Sequence, residues 1–180
     1  PPAGPLAVEF RDVSFDYGDE QPVLAGIDLR IAPGRSVGVV GRTGSGKTTL
    51  SRLLLRLVDA TDGDVLLGGV AVPRIARREL RRRVALIPQE VELFTGTVRD
   101  NIRYGRLKAT DEEVIEAAKI AGAHEFILHL EGGYNGEVGE GGNRLSVGQK
   151  QLISLARAVL ANPELLVMDE ATSSVDTLTE

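Results

Sequence analysis

The stretch that most constrains the fold covers residues 36–57, where an apolar run, a glycine-rich turn and regularly spaced leucines follow one another. The run SVGVVG (36–41) is typical of a parallel strand that is covered on both faces. The leucines behind the turn recur at the spacing of a helix with one buried face: Leu50, Leu53, Leu54 and Leu57. A strand that passes directly into a helix in this way predicts a fold of the α/β class.

The turn itself, GRTGSGKTT (41–49), has the spacing Gly41-x4-Gly46-Lys47-Thr48 of a phosphate-binding P-loop. Glycines allow successive backbone N–H groups to converge on one anion, and the helix dipole adds positive potential there. Lys47 would then reach the β- and γ-phosphates of a nucleotide, and the Thr48 hydroxyl would occupy a position on Mg²⁺. A plain strand-to-helix turn is the alternative, but the complete pattern with both flanks favours the phosphate site. The predicted binding residues are Thr43, Gly44, Ser45, Gly46, Lys47, Thr48 and Thr49.

Two acidic residues, Asp169 and Glu170, follow the apolar run LLVM at 165–168. Adjacent residues of a strand point to opposite faces, so these carboxylates would have different tasks. Asp169 is suited to Mg²⁺ or its water shell, as the partner of Thr48. Glu170 is suited to act as a general base on a water in line with the γ-phosphate. An acidic turn after a strand is common, so it is the P-loop that favours a catalytic interpretation of this pair.

Elsewhere the sequence alternates between strand-like and helix-like segments, as in a mainly parallel sheet with helices on its faces. VEFRDVSF (8–15) and GIDLRI (26–31) alternate apolar and polar residues, which predicts a smaller antiparallel layer. DVLLGG (64–69) is typical of a strand and turn, and VALIPQE (84–90) of a strand that ends at its proline. ELLVMDE (164–170) is expected to be a buried strand.

Two capping boxes predict where helices begin: Thr110 with Glu113, and Ser146 with Gln149. The second helix is expected to stop at Asn162, before a proline. Its predicted buried residues are Leu152, Leu155, Ala156 and Val159.

Composition excludes several classes of function. The 180 residues contain no cysteine, which excludes a thiol nucleophile and thiolate metal ligands within them. The net charge of −5 disfavours broad nucleic-acid binding, so no nucleic-acid partner is expected. The one strongly basic run, RIARRELRRR (74–83), is interpreted as a solvated helix face in preference to a contact with anionic lipid. His124 and His129 are interpreted as structural or surface residues, because neither has a metal-binding partner at suitable spacing.

Six short motifs occur in a fixed order along nearly the whole sequence: FDYG (15–18), GRTGSGKT (41–48), PQE (88–90), LSVGQ (145–149), LLVMDE (165–170) and SSVD (173–176). Together they resemble the ABC-type ATPase family, specifically the nucleotide-binding domains of exporter-type ABC transporters. A P-loop is shared by many enzyme classes, whereas LSVGQ, the signature, narrows the resemblance. The fold it implies is a P-loop NTPase core with a mainly parallel sheet, a small antiparallel β layer and a helical signature subdomain.

The resemblance also implies a domain organisation. Residues 1–7 would be a linker, residues 8–180 the nucleotide-binding domain, and residues of about 90–162 its helical subdomain. After Glu180 the family normally continues to a switch histidine, so the sequence is expected to be C-terminally truncated and to hydrolyse ATP weakly by itself. Val147 stands where the family more often has glycine.

ATP and Mg²⁺ are the cofactors that the resemblance implies, and it assigns further residues to them. Tyr17 would stack on adenine, and Gln89 would approach Mg²⁺ and the attacking water. The catalytic residues would be Glu170, Lys47 and Gln89, and the metal ligands Thr48, Gln89 and Asp169. Two domains would meet head to tail, so that the signature of each contacts the ATP of the other. The residues acting in trans would be Ser146, Gly148, Gln149 and Asp176.

The implied partners are a second nucleotide-binding domain, identical or paralogous, and a transmembrane domain on the same parent chain or on another. The segment ELFTGTVRDNI (92–102) would receive that transmembrane part, at the cytoplasmic face of the cell membrane. Two alternatives remain open at this point. One is a nucleic-acid-associated ABC ATPase, which the arginine run at 74–83 supports. The other is a module that binds ATP without hydrolysing it, which the presence of the candidate general base Glu170 disfavours.

Overall fold

The structure, a computed structural model, describes residues 4–18 and 22–169 and separates at residue 84 into two compact units. The first unit is built on a four-stranded antiparallel sheet with the strand order β2-β1-β3-β4. Its strands are β1 (Val8–Phe15), β2 (Leu24–Ile31), β3 (Asp62–Leu67) and β4 (Val70–Ala71). Its α-helices are α1 (Lys47–Leu54) and α2 (Arg77–Arg83), and a 3₁₀ turn covers Val72–Arg74.

The predicted antiparallel layer is confirmed, with β1 as a central strand that pairs on one side with β2 and on the other with β3. Val8 and Phe10 are buried, and so are Val13 and Phe15. The step of three residues between these two pairs coincides with a shift in register, where Asp12 adopts a left-handed φ of 48°. With strict alternation, Val13 and Phe15 would lie on the opposite face of the strand from Val8 and Phe10. The irregularity at Asp12 returns them to the buried face.

The strand predicted at 36–41 is wrong. These residues have no regular secondary structure, and Val40 is 97% exposed. A covered parallel strand exists only where neighbouring strands accept its hydrogen bonds, and in the described part of the first unit every paired strand belongs to the antiparallel sheet. The helix after the turn is also shorter than its leucine pattern predicts. It ends at Leu54, Arg56 has a φ of 53°, and Leu57 is 61% exposed.

The second unit is mainly helical. Its α-helices are α3 (Val98–Arg103), α4 (Asp111–Ile120), α5 (His124–His129) and α6 (Val147–Ala161). Strands β5 (Val84–Ile87) and β6 (Leu165–Met168) pair as a parallel sheet of two. The side chains that fill the core between the helices are apolar and almost fully buried: Val98, Ile102, Val114, Ala118, Ile127, Ile153 and Ala156.

Both predicted capping boxes are confirmed, at Thr110 with Glu113 and at Ser146 with Gln149. A third, which the sequence analysis did not identify, joins Thr97 to Asp100 at the start of α3. Helix α6 stops where predicted, because Asn162 turns into the left-handed region with a φ of 49° and a proline follows. The leucines and valine predicted to be buried on this helix are partly buried against the core, and Ala156 is fully buried.

The strand β6 occurs where it was predicted, but it is only half-buried. Leu166 is 39% exposed and Met168 is 47% exposed. Within the described residues β6 pairs with β5 alone, so part of each strand lacks the cover that a larger sheet would provide. The predicted mixed α/β class is confirmed. Across residues 4–18 and 22–169, none of the helices combines the length and the apolar character that crossing a bilayer requires.

Candidate functional site

The predicted P-loop forms a tight turn that leads into α1. The N–H of Ser45 donates to the carbonyl of Arg42 at 3.1 Å, and Gly46 precedes the helix with a left-handed φ of 86°. A Cβ on Gly46 would lie 2.6 Å from Cδ2 of Leu24 and 3.2 Å from the carbonyl oxygen of Val23, so only glycine fits. The N-cap residue of α1 is this glycine, so no N-cap side chain accepts from the first N–H groups of the helix. A bound anion can take that role, which the dipole of the helix also favours.

The lysine of the loop lies directly over this turn. Its Nζ donates to the carbonyls of Gly41 at 2.6 Å and Arg42 at 3.0 Å, which holds a positive charge beside the helix start. Thr48 is exposed on the first turn of α1, whereas Thr49 is 5% exposed and faces inward. The two threonines therefore differ in access: Thr48 can meet a ligand, and Thr49 supports the loop from behind.

Tyr17 is fastened to the helix that follows the loop. Its hydroxyl lies 3.3 Å from Oγ1 of Thr49 and accepts a hydrogen bond from Nη1 of Arg52 at 3.0 Å. The hydrogen bond with Thr49, with the nearby Arg52 guanidinium, lowers the pKa of Tyr17 from its ordinary value. Phe15 packs edge-on against the ring with 4.7 Å between centroids, yet Tyr17 remains 49% exposed. The ring is thus held in place while much of its surface stays open to a planar ligand.

The remaining catalytic candidates lie in the second unit. Gln89 is exposed and follows the end of β5 by two residues. Asp169 follows β6, and its backbone N–H donates to the carbonyl of Ile87 at 3.0 Å. The ends of β5 and β6 therefore bring the predicted glutamine and carboxylate to the same edge of one sheet. Glu170 and Asp176 lie outside the described residues.

The signature serine is the N-cap of α6, and here the helix start is closed by side chains. Oγ of Ser146 accepts from the N–H of Gln149 at 3.2 Å, and Oε1 of Gln149 accepts from the N–H of Ser146 at 3.0 Å. Ser146 is exposed, and Val147 is 61% exposed. A serine hydroxyl that accepts one hydrogen bond still has a proton to donate, so Ser146 can bind an anion without breaking the cap.

A buried polar network in the second unit was missed by the sequence analysis. Asn101 is 1% exposed, and Arg157 of α6 donates to both its carbonyl and its side-chain oxygen, at 3.0 and 3.1 Å. The available signals were an asparagine within the segment 92–102 and an arginine among the alanines, leucines and valine in the second half of α6. Neither signal identifies a partner 56 residues away.

The two histidines make local contacts. Nδ1 of His124 lies 2.8 Å from the hydroxyl of Tyr134, and Nδ1 of His129 lies 2.7 Å from the carbonyl of Glu125. Burial raises the pKa of Tyr134. In the described ranges no three His, Cys, Asp or Glu side chains lie together as a metal cage. Mg²⁺ at a nucleotide does not need such a cage, because one or two protein groups hold the ion together with phosphate oxygens. Taken separately, the exposed Thr48 of the first unit and the strand-end Asp169 of the second each carry an oxygen of the kind that such chemistry uses.

Three features define a P-loop nucleotide-binding protein of the α/β class: a turn with no room for a side chain at Gly46, a helix start whose N-cap offers no side-chain acceptor, and a lysine held over that turn. The sequence model of the ABC transporter family matches residues 24–173. The chain belongs to this family, as the ATP-binding domain of its members, which are ATPases.

Relatives within the family are alike over almost the whole chain. An ATP-dependent lipid A-core flippase of Chromobacterium violaceum is 49% identical over 99% of this chain and 31% of its own length. A fatty acid ABC transporter ATP-binding/permease protein of Mycobacterium bovis is 46% identical over 96% of this chain and 27% of its own. The structure of a bacterial Atm1-family ABC exporter with ATP bound superposes with a TM-score of 0.93 at 39% identity, over 98% of this chain and 31% of that one. The chain thus spans about a third or less of these relatives.

Proposed function

We propose that the chain is the motor domain of an ABC exporter, which binds and hydrolyses ATP to power the movement of a substrate across a membrane. The observation that carries the proposal is the presence of two helix starts with different chemistry: α1 begins behind a glycine that offers no side-chain acceptor, whereas α6 begins with a capping box and an exposed serine. The first suits a phosphate chain bound by the protein's own loop. The second suits a phosphate presented from outside. The relatives named above are transporters, which does not favour a nucleic-acid-associated ATPase.

The residues of the loop bind and orient the nucleotide in this proposal. The backbone N–H groups of residues 43–49 converge on the phosphates, and the ammonium of Lys47 neutralises charge at the β- and γ-positions. The exposed ring of Tyr17 stacks on adenine. Its hydroxyl contacts with Thr49 and Arg52 fix the ring relative to the loop, so that base and phosphate contacts are in register.

Hydrolysis is assigned to the strand-end residues. Mg²⁺, when bound with ATP, supplies charge neutralisation at the transferred phosphate. Thr48, Gln89 and Asp169 would hold it, and Glu170 would accept the proton of the attacking water. Gln89 would also orient that water.

A second copy of the domain, or a paralogue, completes the site. Ser146, Gly148 and Gln149 would contact the γ-phosphate of the partner's ATP, and Asp176 would lie at the interface between the two sites. A two-fold symmetric arrangement of the domains makes this contact once at each site, so ATP joins the domains. ADP lacks the group that the signature binds, and the interface loosens after hydrolysis. The transmembrane part would place the domain at the cytoplasmic face of the membrane.

The test uses the full-length protein with two substitutions. Glu170→Gln is expected to stop ATP turnover while ATP still drives association of the domains. Lys47→Ala is expected to weaken ATP binding itself. Glu116→Gln on the exposed face of α4 and Lys119→Ala beside it are matched controls, since they change the same residue types at a surface ion pair. Unchanged turnover in Glu170→Gln would remove the assigned base, and unchanged ATP affinity in Lys47→Ala would contradict the phosphate site.

A further inference from the structure

Asn101 organises the segment that follows Gln89, residues 94–104, which is called the post-glutamine segment below. Its Nδ2 donates to the carbonyls of Phe94 at 2.8 Å and Thr97 at 3.0 Å. Its Oδ1 accepts from the N–H of Phe94 at 2.9 Å. The side chain is almost fully buried, and each of its polar atoms has a partner. Asn101 therefore ties the loop before α3 to the helix itself.

Arg157 connects this arrangement to α6. Its Nε donates to the backbone carbonyl of Asn101 and its Nη2 to Oδ1 of the same residue. The guanidinium also lies over the rings of Phe94 and Tyr104, at 5.2 and 5.8 Å from their centroids. Burial lowers the pKa of Arg157, although an arginine stays protonated near neutral pH. In the part of the chain that the structure describes, this guanidinium forms no ion pair, so its planar fork is used for position rather than for charge neutralisation.

The two ends of this connection face different contacts. The post-glutamine segment exposes an aromatic pair, Phe94 at 49% and Tyr104 at 56%, with ring centroids 4.4 Å apart. Helix α6 exposes Ser146 at its start, eleven residues before Arg157, which corresponds to about 16 Å along a helix. A helix of this length behaves as a rod. A displacement at Arg157 is therefore delivered to Ser146 with little loss.

We propose that Asn101 and Arg157 are a positioning pair that makes the post-glutamine segment and the signature helix move as one rigid body. The proposal rests on the proposed function, because Ser146 is taken to act on a partner's ATP. The pair sets where Ser146 stands relative to the surface carrying Phe94 and Tyr104. Movement imposed on that surface thereby reaches the nucleotide of the partner domain, and closure around that nucleotide reaches the surface in return.

The first measurement tests rigidity directly. Spin labels at Leu107→Cys and Val147→Cys report the distance between a position just beyond the segment and the start of α6, and both positions are well exposed, at 75% and 61%. The 180-residue sequence has no cysteine, so only cysteines elsewhere in the full-length protein need replacement. We expect one narrow distance distribution with and without ATP. Arg157→Met, which keeps most of the apolar contact but loses the fork, should broaden it at least twofold in width.

The second measurement separates positioning from folding. In the full-length protein, Arg157→Met is expected to lower kcat for ATP about tenfold or more while KM changes less than twofold, since its own P-loop is untouched. Arg157→Lys should behave like the methionine variant, because a lysine keeps the charge without the planar fork. Arg106→Met is the matched control. Arg106 forms a surface ion pair with Glu113 at 2.7 Å and has no hydrogen bond or ion pair to α6 among the described residues, so its loss should change neither the distances nor kcat.

The outcomes separate the two proposals. A narrow distribution and wild-type kcat in both Arg157 variants would overturn the positioning pair and leave the motor function intact. Full recovery in Arg157→Lys would also overturn it, because charge alone would then suffice. A wild-type protein without ATPase activity would contradict the proposed function, while the label distances would still decide whether the segment and α6 are rigidly joined. If Arg157→Met fails to fold, the lysine variant decides the question by the same readouts.

Discussion

Replacing Gly46 by alanine should cost far more ATP affinity than the same change at Gly44, two residues earlier in the loop. Both glycines are left-handed, with φ of 86° and 84°. An alanine in that region costs about 1–2 kcal/mol at either position. At Gly44 a Cβ meets nothing within 4 Å, whereas at Gly46 it lies 2.6 Å from Leu24 and 3.2 Å from the carbonyl of Val23. Such overpacking adds roughly 1–3 kcal/mol at Gly46 alone.

These energies act on the fraction of molecules in which the loop is formed, and apparent affinity falls with that fraction. Each 1.4 kcal/mol corresponds to about a tenfold change. We therefore expect the Kd for ATP to rise about 5- to 30-fold in Gly44→Ala and roughly 30-fold or more in Gly46→Ala. Titration with a fluorescent ATP analogue, without Mg²⁺-dependent turnover, measures both on the same scale.

A third variant isolates the packing contribution. Combining Gly46→Ala with Leu24→Val removes the methyl group that lies 2.6 Å from the new Cβ, so the double variant should recover part of the lost affinity. The appropriate reference is Leu24→Val alone. Equal losses in Gly44→Ala and Gly46→Ala, or the absence of any recovery in the double variant, would refute the reasoning from space around the loop.

Four further predictions follow from other contacts. Tyr17→Phe keeps the ring and loses only the hydroxyl contacts, so its Kd for ATP should stay within about threefold of the wild-type value. Tyr17→Ala also loses the stacking on adenine, which is worth roughly 1–3 kcal/mol, and should bind ATP about 5- to 150-fold more weakly in the same titration. Thr110→Ala removes the cap of α4 and should lower the free energy of unfolding by about 1 kcal/mol in urea, whereas Thr95→Ala, outside any cap, should not. The hydrogen bond from the Thr97 side chain lowers the pKa of Asp100 in the folded protein. The stability that this carboxylate provides is therefore present above its unfolded pKa and is lost as pH falls through the lower folded pKa. Between about pH 5 and pH 3, the free energy of unfolding should depend less on pH in Asp100→Asn than in the wild type. Burial raises the pKa of Tyr134 in the folded protein. The stability that its neutral hydroxyl provides is therefore complete below about pH 10 and is lost as pH rises further. In Tyr134→Phe the free energy of unfolding should depend less on pH in this alkaline range, and an unaltered pH profile would contradict the prediction.

Features set by neighbours in the sequence were predicted well. The capping boxes at Thr110 and Ser146 need residues only three positions apart, and the end of α6 needs only Asn162 and the proline after it. The turn at 41–49 likewise follows from local glycines. Each of these elements takes its shape from contacts within a few residues, which is why the pattern of letters suffices.

Features set by distant partners were predicted poorly. An apolar run such as 36–41 becomes a strand only beside another strand, and nothing in the run names that neighbour. The depth of β6 depends in the same way on what covers its faces. Asn101 and Arg157 are 56 residues apart, and each is an ordinary polar residue until the fold brings them together. The roles of Glu170 and Asp176 remain predictions, because both lie outside the described residues.

The unlike beginnings of α1 and α6 have a consequence for timing. At the start of α1 the N-cap glycine provides no side-chain acceptor, so hydrogen exchange of the amides there should slow sharply once a nucleotide binds. At the start of α6 the N–H of Gln149 already donates to Oγ of Ser146, so this amide should exchange slowly before any nucleotide binds. ATP would thus order the start of α1, whereas the start of α6 would already have its final hydrogen bonds before ATP binds. In the proposed cycle, nucleotide binding would then precede docking, and a domain that has lost its nucleotide would keep the capped start of α6 for the next one.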